Sequence, residues 1–104
     1  MKYKILISTT AYNQITECVS FAANVSTDAA KQLYLDIMSS INSLEDMPER
    51  CPVVNELKTI FGATRKLLID KGRYATLFRI NGDTVFINYV IDLRSNKYLK
   101  ELFK

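Results

Sequence analysis

The run TRKLLIDKGRYATLFRINGDTVFINYVIDLR, residues 64–94, decides the fold. Three segments of it, Thr64–Ile69, Tyr74–Ile80 and Thr84–Ile91, are rich in the branched and aromatic residues that suit a pleated surface. Asp70-Lys71-Gly72-Arg73 separates the first two and Asn81-Gly82-Asp83 the last two. An Asn-Gly pair between apolar runs marks a hairpin, because both residues tolerate a positive φ. The spacing predicts three consecutive antiparallel strands. Arg65, Lys66, Arg73, Arg79 and Arg94 fall on or beside these strands, and Tyr98 follows. Unpaired guanidiniums are costly to bury, so several on one small sheet suggest a surface kept for an anion, either nucleic acid or an acidic protein segment.

Upstream, residues 2–7 read as a short first strand in which Tyr3, Ile5 and Ile7 alternate with Lys2, Lys4 and Leu6. Ser8-Thr9-Thr10 offers capping hydroxyls to a helix from about Ala11 to Asn24, with Ile15, Cys18, Val19, Ala22 and Ala23 at helical spacing. After a short break, Thr27 or Asp28 is expected to cap a second helix running to about Glu45. Its buried stripe is Ala30, Leu33, Tyr34, Ile37, Ile41 and Leu44. So short a break makes the helices antiparallel. Met47-Pro48-Glu49-Arg50-Cys51-Pro52 ends helix two, since proline lacks the amide donor. Glu56 to Phe61 suits a helical turn, and Ser95 to Phe103 a short amphipathic helix. The expectation is an α+β domain spanning residues 1–104. It consists of an N-terminal strand, an antiparallel two-helix hairpin packed on a small antiparallel-rich sheet, and a short C-terminal helix.

A chain of 104 residues supports one core. No apolar run approaches the roughly 20 residues that span a bilayer, and the opening lacks the features of a secretion signal, so a cytoplasmic protein is expected. The net charge of +3 is unevenly placed. Residues 1–52 carry four basic and six acidic groups, whereas residues 53–104 carry ten basic and five acidic ones. The chain has no histidine, and its two cysteines, Cys18 and Cys51, are far apart. Histidine-dependent nucleophiles and zinc sites are therefore excluded. Cys18 reads as a buried helix residue and Cys51 as a loop thiol. Isolated glycines at turns make no phosphate loop, and Asp70, Asp83 and Asp92 read as structural rather than as metal ligands. No cofactor is called for. Arginine, lysine and tyrosine chemistry remains: guanidiniums hold phosphates, and a tyrosine or lysine of lowered pKa can move the proton of a 2′-hydroxyl attack on RNA.

Several pieces, in order, carry a family likeness: Ser8-Thr9-Thr10-Ala11, Thr27-Asp28-Ala29-Ala30, and Ile41-Asn42-Ser43-Leu44-Glu45-Asp46-Met47-Pro48. They continue with Arg65-Lys66-Leu67, Gly72-Arg73-Tyr74, Leu77 to Val85, and Val90-Ile91-Asp92-Leu93-Arg94 with Tyr98 four residues on. Across nearly its whole length the chain resembles the RelE/ParE superfamily, the toxins of type II toxin–antitoxin systems, also called plasmid-stabilisation proteins. The resemblance implies a heteromeric complex with a cognate antitoxin and one of two targets. RelE-like members act at the ribosome as mRNA endoribonucleases that inhibit translation, and this is the activity expected of the chain; the alternative is that of ParE-like members, which poison DNA gyrase. A degenerate member that only binds its antitoxin is the third alternative.

On the nuclease alternative, the resemblance implies that Arg65, Arg73 and Arg94 bind phosphate and that Tyr98 orients or deprotonates the nucleophile. Lys66, Lys71, Arg79 and Lys97 would contact the RNA or another target. The position after Tyr74, where the nuclease branch has an arginine, is Ala75 here. Arg73 lies on the same strand face and is the available substitute. Arg79 has a structural alternative, an ion pair with a carboxylate such as Asp92, and Tyr98 could equally be an apolar helix residue.

Overall fold

The computed structural model describes residues 2–54 and 63–94. Strand β1 (Lys4–Ile7) leads into helix α1 (Thr9–Ala23), and helix α2 (Thr27–Asn42) follows after three residues. Two 3-10 turns, Ser43–Glu45 and Pro48–Arg50, come next, then strands β2 (Arg65–Ile69), β3 (Tyr74–Asn81) and β4 (Thr84–Asp92). The expected turn at Glu56 to Phe61 and helix from Ser95 to Phe103 lie outside the described residues, as do Lys97 and Tyr98.

Local chemistry fixes the helix starts. Ser8 and Ser26 both sit in extended backbone, and each hydroxyl accepts from the amide three residues on, Ala11 at 2.9 Å and Ala29 at 2.8 Å. The second cap is thus Ser26, not Thr27 or Asp28, because the serine is the last residue with non-helical backbone. Helix α2 gives way to a 3-10 turn at Ser43, earlier than the expected Glu45. Met47 then turns the chain with φ 47° just before Pro48. The Arg50 guanidinium ties this break by donating to the Asp46 carbonyl at 2.7 Å and the Ser43 hydroxyl at 3.0 Å.

The sheet is mixed, in the order β1-β4-β3-β2. β1 runs parallel to β4, with Ile5 opposite Val85 and Ile7 opposite Ile87; the other pairs are antiparallel. Between β3 and β4 the loop is Gly82-Asp83, since Asn81 already pairs with Thr84. Only Gly82, at φ 62°, takes the left-handed conformation there, as hairpin turns with glycine in the first loop position require. The register also holds one irregularity. Leu77 faces Tyr89 but Phe78 faces Ile87, leaving Asn88 as an extra residue in β4. This bulge shifts the alternation, so that Val85, Ile87 and Val90 all point to one side.

That side carries the core. Ile15 of α1 and Leu33, Ile37 and Ile41 of α2 pack on Phe78, Val85, Ile87 and Val90. Each such side chain contributes roughly 1.5–3 kcal/mol by leaving water. One stripe assignment needs correction: Tyr34 of α2 is 47% exposed. Cys18 is half-buried and Cys51 is buried, both as free thiols. Among the described residues no helix is long and apolar enough to cross a membrane.

Thr76 lies in the core on β3, fully buried, and its Oγ1 has no hydrogen-bond partner. Burying an unsatisfied hydroxyl is costly. Thr76→Val, nearly the same shape, should therefore raise unfolding stability by about 1 kcal/mol. In urea titration this means a higher midpoint at unchanged slope.

Candidate functional site

The sheet separates the cationic residues by face and by end. Register and alternation put Arg65, Leu67 and Ile69 of β2 on the helix side, opposite Phe78, Thr76 and Tyr74. Arg65 therefore turns toward the segment after α2, where its Nη1 donates to the carbonyls of Cys51 at 2.6 Å and Glu49 at 3.1 Å. A short bridge between Val53 and Arg65 and the bond that the Val54 amide donates to the Thr64 carbonyl hold the same segment to the sheet edge. The guanidinium thus serves as a clasp between β2 and the loop before it. Its charge also bears on Glu49, whose carboxyl is held below its ordinary range chiefly by the hydrogen bond from the Tyr3 hydroxyl.

Arg73 and Arg94 lie at the other end of the sheet. The Arg73 carbonyl accepts from the Leu93 amide at 2.9 Å, so the two arginines are neighbours along the backbone. Each is engaged separately. Arg73 pairs with Asp70 at 3.7 Å within the β2–β3 turn, whose Asp70, Lys71 and Gly72 all have positive φ. Arg94 pairs with Asp92 at 3.3 Å, donates to the Tyr74 hydroxyl at 2.8 Å, and lies 5.3 Å from the centre of the Tyr74 ring. The hydrogen bond to Asp92 pushes the Arg94 pKa up.

Arg65 stands opposite Phe78 and Arg94 engages Tyr74, four residues along β3, or about 13 Å by strand rise. Arg65, Arg73 and Arg94 therefore do not form one cluster: each is held by its own part of the chain. Ala75, the expected arginine position, is buried with no exposed surface. Arg73 precedes β3 in the turn, where its side chain meets Asp70. Lys71 is exposed in the same turn, and Lys66 is half-buried on the sheet side away from the helices.

Arg79 does not pair with Asp92. Asp92 lies at the far end of β4, opposite Tyr74 and two residues from Arg94, whereas Arg79 is opposite Phe86. Arg79 Nε instead donates to Asn88 Oδ1 at 3.4 Å. Sequence reasoning missed Asn88, and with it Gln14 and the second bond of Ser8 beyond its cap, both made to the backbone at the bulge. The only trace in the sequence is a polar residue interrupting the apolar run of β4.

Burial pushes the Tyr74 hydroxyl up, and Arg94 offsets only part of that shift. Burial likewise raises both cysteine thiols, Cys18 with a further contribution from Asp92. What this end of the sheet offers is a locked polar brace of Tyr74, Asp92 and Arg94 beside α1.

No protein-family model and no curated protein matches the chain. Among solved structures, it is similar to a chain described as "Chromosomal ParDE TA system from P. aeruginosa". The TM-score is 0.70 at 12% sequence identity, over 88% of this chain and 96% of that one. At that identity the likeness is one of fold, and the expected RelE/ParE-like α+β architecture is the one observed.

The two clasped arginines should differ in their contribution to stability. Arg65→Ala removes two charge-assisted bonds to carbonyls and should cost about 1–2 kcal/mol. Arg73→Ala, which loses an exposed ion pair, should change stability by less than about 0.5 kcal/mol. Urea midpoints of the two variants check the order, and equal losses would contradict the assignment.

Proposed function

We propose that this chain is the toxin of a type II toxin–antitoxin pair, held in check by a cognate antitoxin, and that it acts by binding a protein target rather than by cutting mRNA. The fold it shares with a chain of a ParDE system supports the first part. One observation carries the second: Arg65 is clasped at one end of the sheet while Arg73 and Arg94 lie at the other, and each guanidinium has a partner within the chain. Cleavage of a phosphodiester needs convergent cations over the reacting phosphate and a group able to take the proton of the 2′-hydroxyl. Binding a protein needs only a shaped surface. DNA gyrase is the target that resemblance to the ParE branch supplies, and the cytoplasm is where such a target would be met.

The test is induction of the chain in growing bacteria, with plasmid topology and transcript integrity followed together. Gyrase poisoning predicts altered supercoiling and DNA breaks while bulk mRNA stays intact. Arg73→Ala and Arg94→Ala should remain toxic at equal protein level. Early cuts within codons, abolished by either substitution, would restore the nuclease reading. Normal growth at high expression would remove the toxin reading altogether.

A further inference from the structure

The β3–β4 hairpin closes on an Asn81-Gly82 pair whose reactive atoms are uncovered. Asn81, Gly82 and Asp83 are all exposed. Asn81 ends β3 and pairs with Thr84, so Gly82 is the first residue of the loop. Among the described residues, neither the Gly82 amide nor the Asn81 carboxamide makes a hydrogen bond. A β-carbon built on Gly82 would meet nothing within 4 Å, so the approach to its nitrogen is open.

The other described asparagines lack this combination. Asn13 lies within α1, where the following amide is engaged in the helix. After Asn24, the Val25 amide donates to the Ala22 carbonyl at 3.0 Å. After Asn42, the Ser43 amide donates to the Ser39 carbonyl. Asn88 accepts from Arg79 through its side-chain oxygen and is followed by the bulky Tyr89 within β4.

We infer that Asn81 is a site of spontaneous deamidation, and that the modification acts on the hairpin. The Gly82 nitrogen attacks the side-chain carbonyl carbon of Asn81. Its proton passes through solvent to the carboxamide nitrogen, which leaves as ammonia, and a five-membered succinimide remains. Water then opens the ring. Attack at the side-chain carbonyl gives aspartate, and attack at the main-chain carbonyl gives isoaspartate, in which the peptide runs through the side chain. Water is the only co-reactant. Ring closure requires rotation about the Asn81 Cα–C bond; this is a local opening at a hairpin tip, and Gly82 has no side chain to oppose it.

Isoaspartate adds a methylene to the main chain at the residue that closes the ladder, so the Asn81–Thr84 pair cannot persist. The next carbonyl in the loop, that of Asp83, accepts from the Lys4 amide at 2.8 Å and starts the pairing of β1 with β4. Modification at Asn81 thus loosens the turn and the beginning of β1 together. Aspartate leaves the backbone as it is and alters only the charge. None of this depends on the toxin reading.

The test ages the full chain in mildly alkaline buffer. Peptide mass spectrometry follows the change from amide to acid, and a protein isoaspartate methyltransferase labels the isoaspartyl product. Conversion at Asn81 should be at least about tenfold faster than at Asn42, whose neighbouring amide must first leave the helix end. In urea the Asn42-Ser43 pair should lose that protection. Asn81→Gln, which would have to close a six-membered ring, should lose both signals at an unchanged urea midpoint. The aged wild type should unfold at a lower urea midpoint than the fresh chain, whereas fresh Asn81→Asp should not. Asn81 that converts no faster than Asn24 or Asn42 in the folded chain overturns the proposal. So does conversion at Asn81 that appears only in urea, or an aged, isoaspartyl-labelled chain that keeps the midpoint of the fresh one.

Discussion

The bulge at Asn88 is the constraint on which the arrangement of this molecule turns, and α1 pins it from one side. The Ser8 hydroxyl, besides accepting from the Ala11 amide, donates to the Asn88 carbonyl at 2.9 Å; the Gln14 carboxamide oxygen accepts from the Val90 amide at 2.8 Å. An extra residue in a strand leaves backbone groups without ladder partners, and buried groups of that kind must find others. Here the first turns of a helix supply them. The helix is thereby fixed to the central strand pair, and the phase of β4 changes so that Val90 enters the core while Tyr89 faces outward. With no bulge, strict alternation from Val85 and Ile87 would send Tyr89 inward and Val90 out.

The register of this strand pair also decides how the cations are allotted. Arg79 and Asp92 both lie on the central pair, yet the register keeps them at opposite ends of it. Asp92 is left to Arg94, only two residues away, where the backbone amide and the guanidinium of Arg94 both reach the same carboxylate. The Asn88 carboxamide then becomes the neighbour of Arg79. A neutral acceptor orients a guanidinium without neutralising it. Two arginines that look alike in sequence thus take opposite roles, Arg94 a brace around Tyr74 and Arg79 a cation held toward solvent.

How far the sequence could be read follows from the range of the interactions. Element types and their order were legible because periodicity, caps and turn residues are local; Ser8, Gly82 and Pro48 act on their immediate neighbours. The cap of α2 was missed by one residue because Ser26, Thr27 and Asp28 are all competent, and only the backbone at Ser26 selects it. The site was much less legible. Whether Arg65 meets a phosphate or the Cys51 carbonyl depends on where the segment after α2 passes over the sheet edge, a contact fourteen residues away in sequence. The prospect of convergence at Arg65, Arg73 and Arg94 rested on strand assignment alone, which gives neither face nor register.

Fold and function part company at this point. A small sheet backed by a helical hairpin is a scaffold, and the chemistry lies in which side chains its open side leaves unspent. Arg65 and Arg94 are tied down by acceptors that the chain itself supplies, so releasing either would mean giving up a stabilising contact. Arg79 differs in that its one acceptor among the described residues is the neutral Asn88 carboxamide, reached by Nε at 3.4 Å, which leaves its charge uncompensated there. Pre-oriented groups lose less entropy on binding than floppy ones, which favours Arg79 over Lys71, a flexible side chain on a tight turn. The physical distinction among the arginines of this chain is therefore how firmly each is held, Arg65 by two carbonyls, Arg94 by a carboxylate and Arg79 by one neutral carboxamide, and it is set by register rather than by residue type.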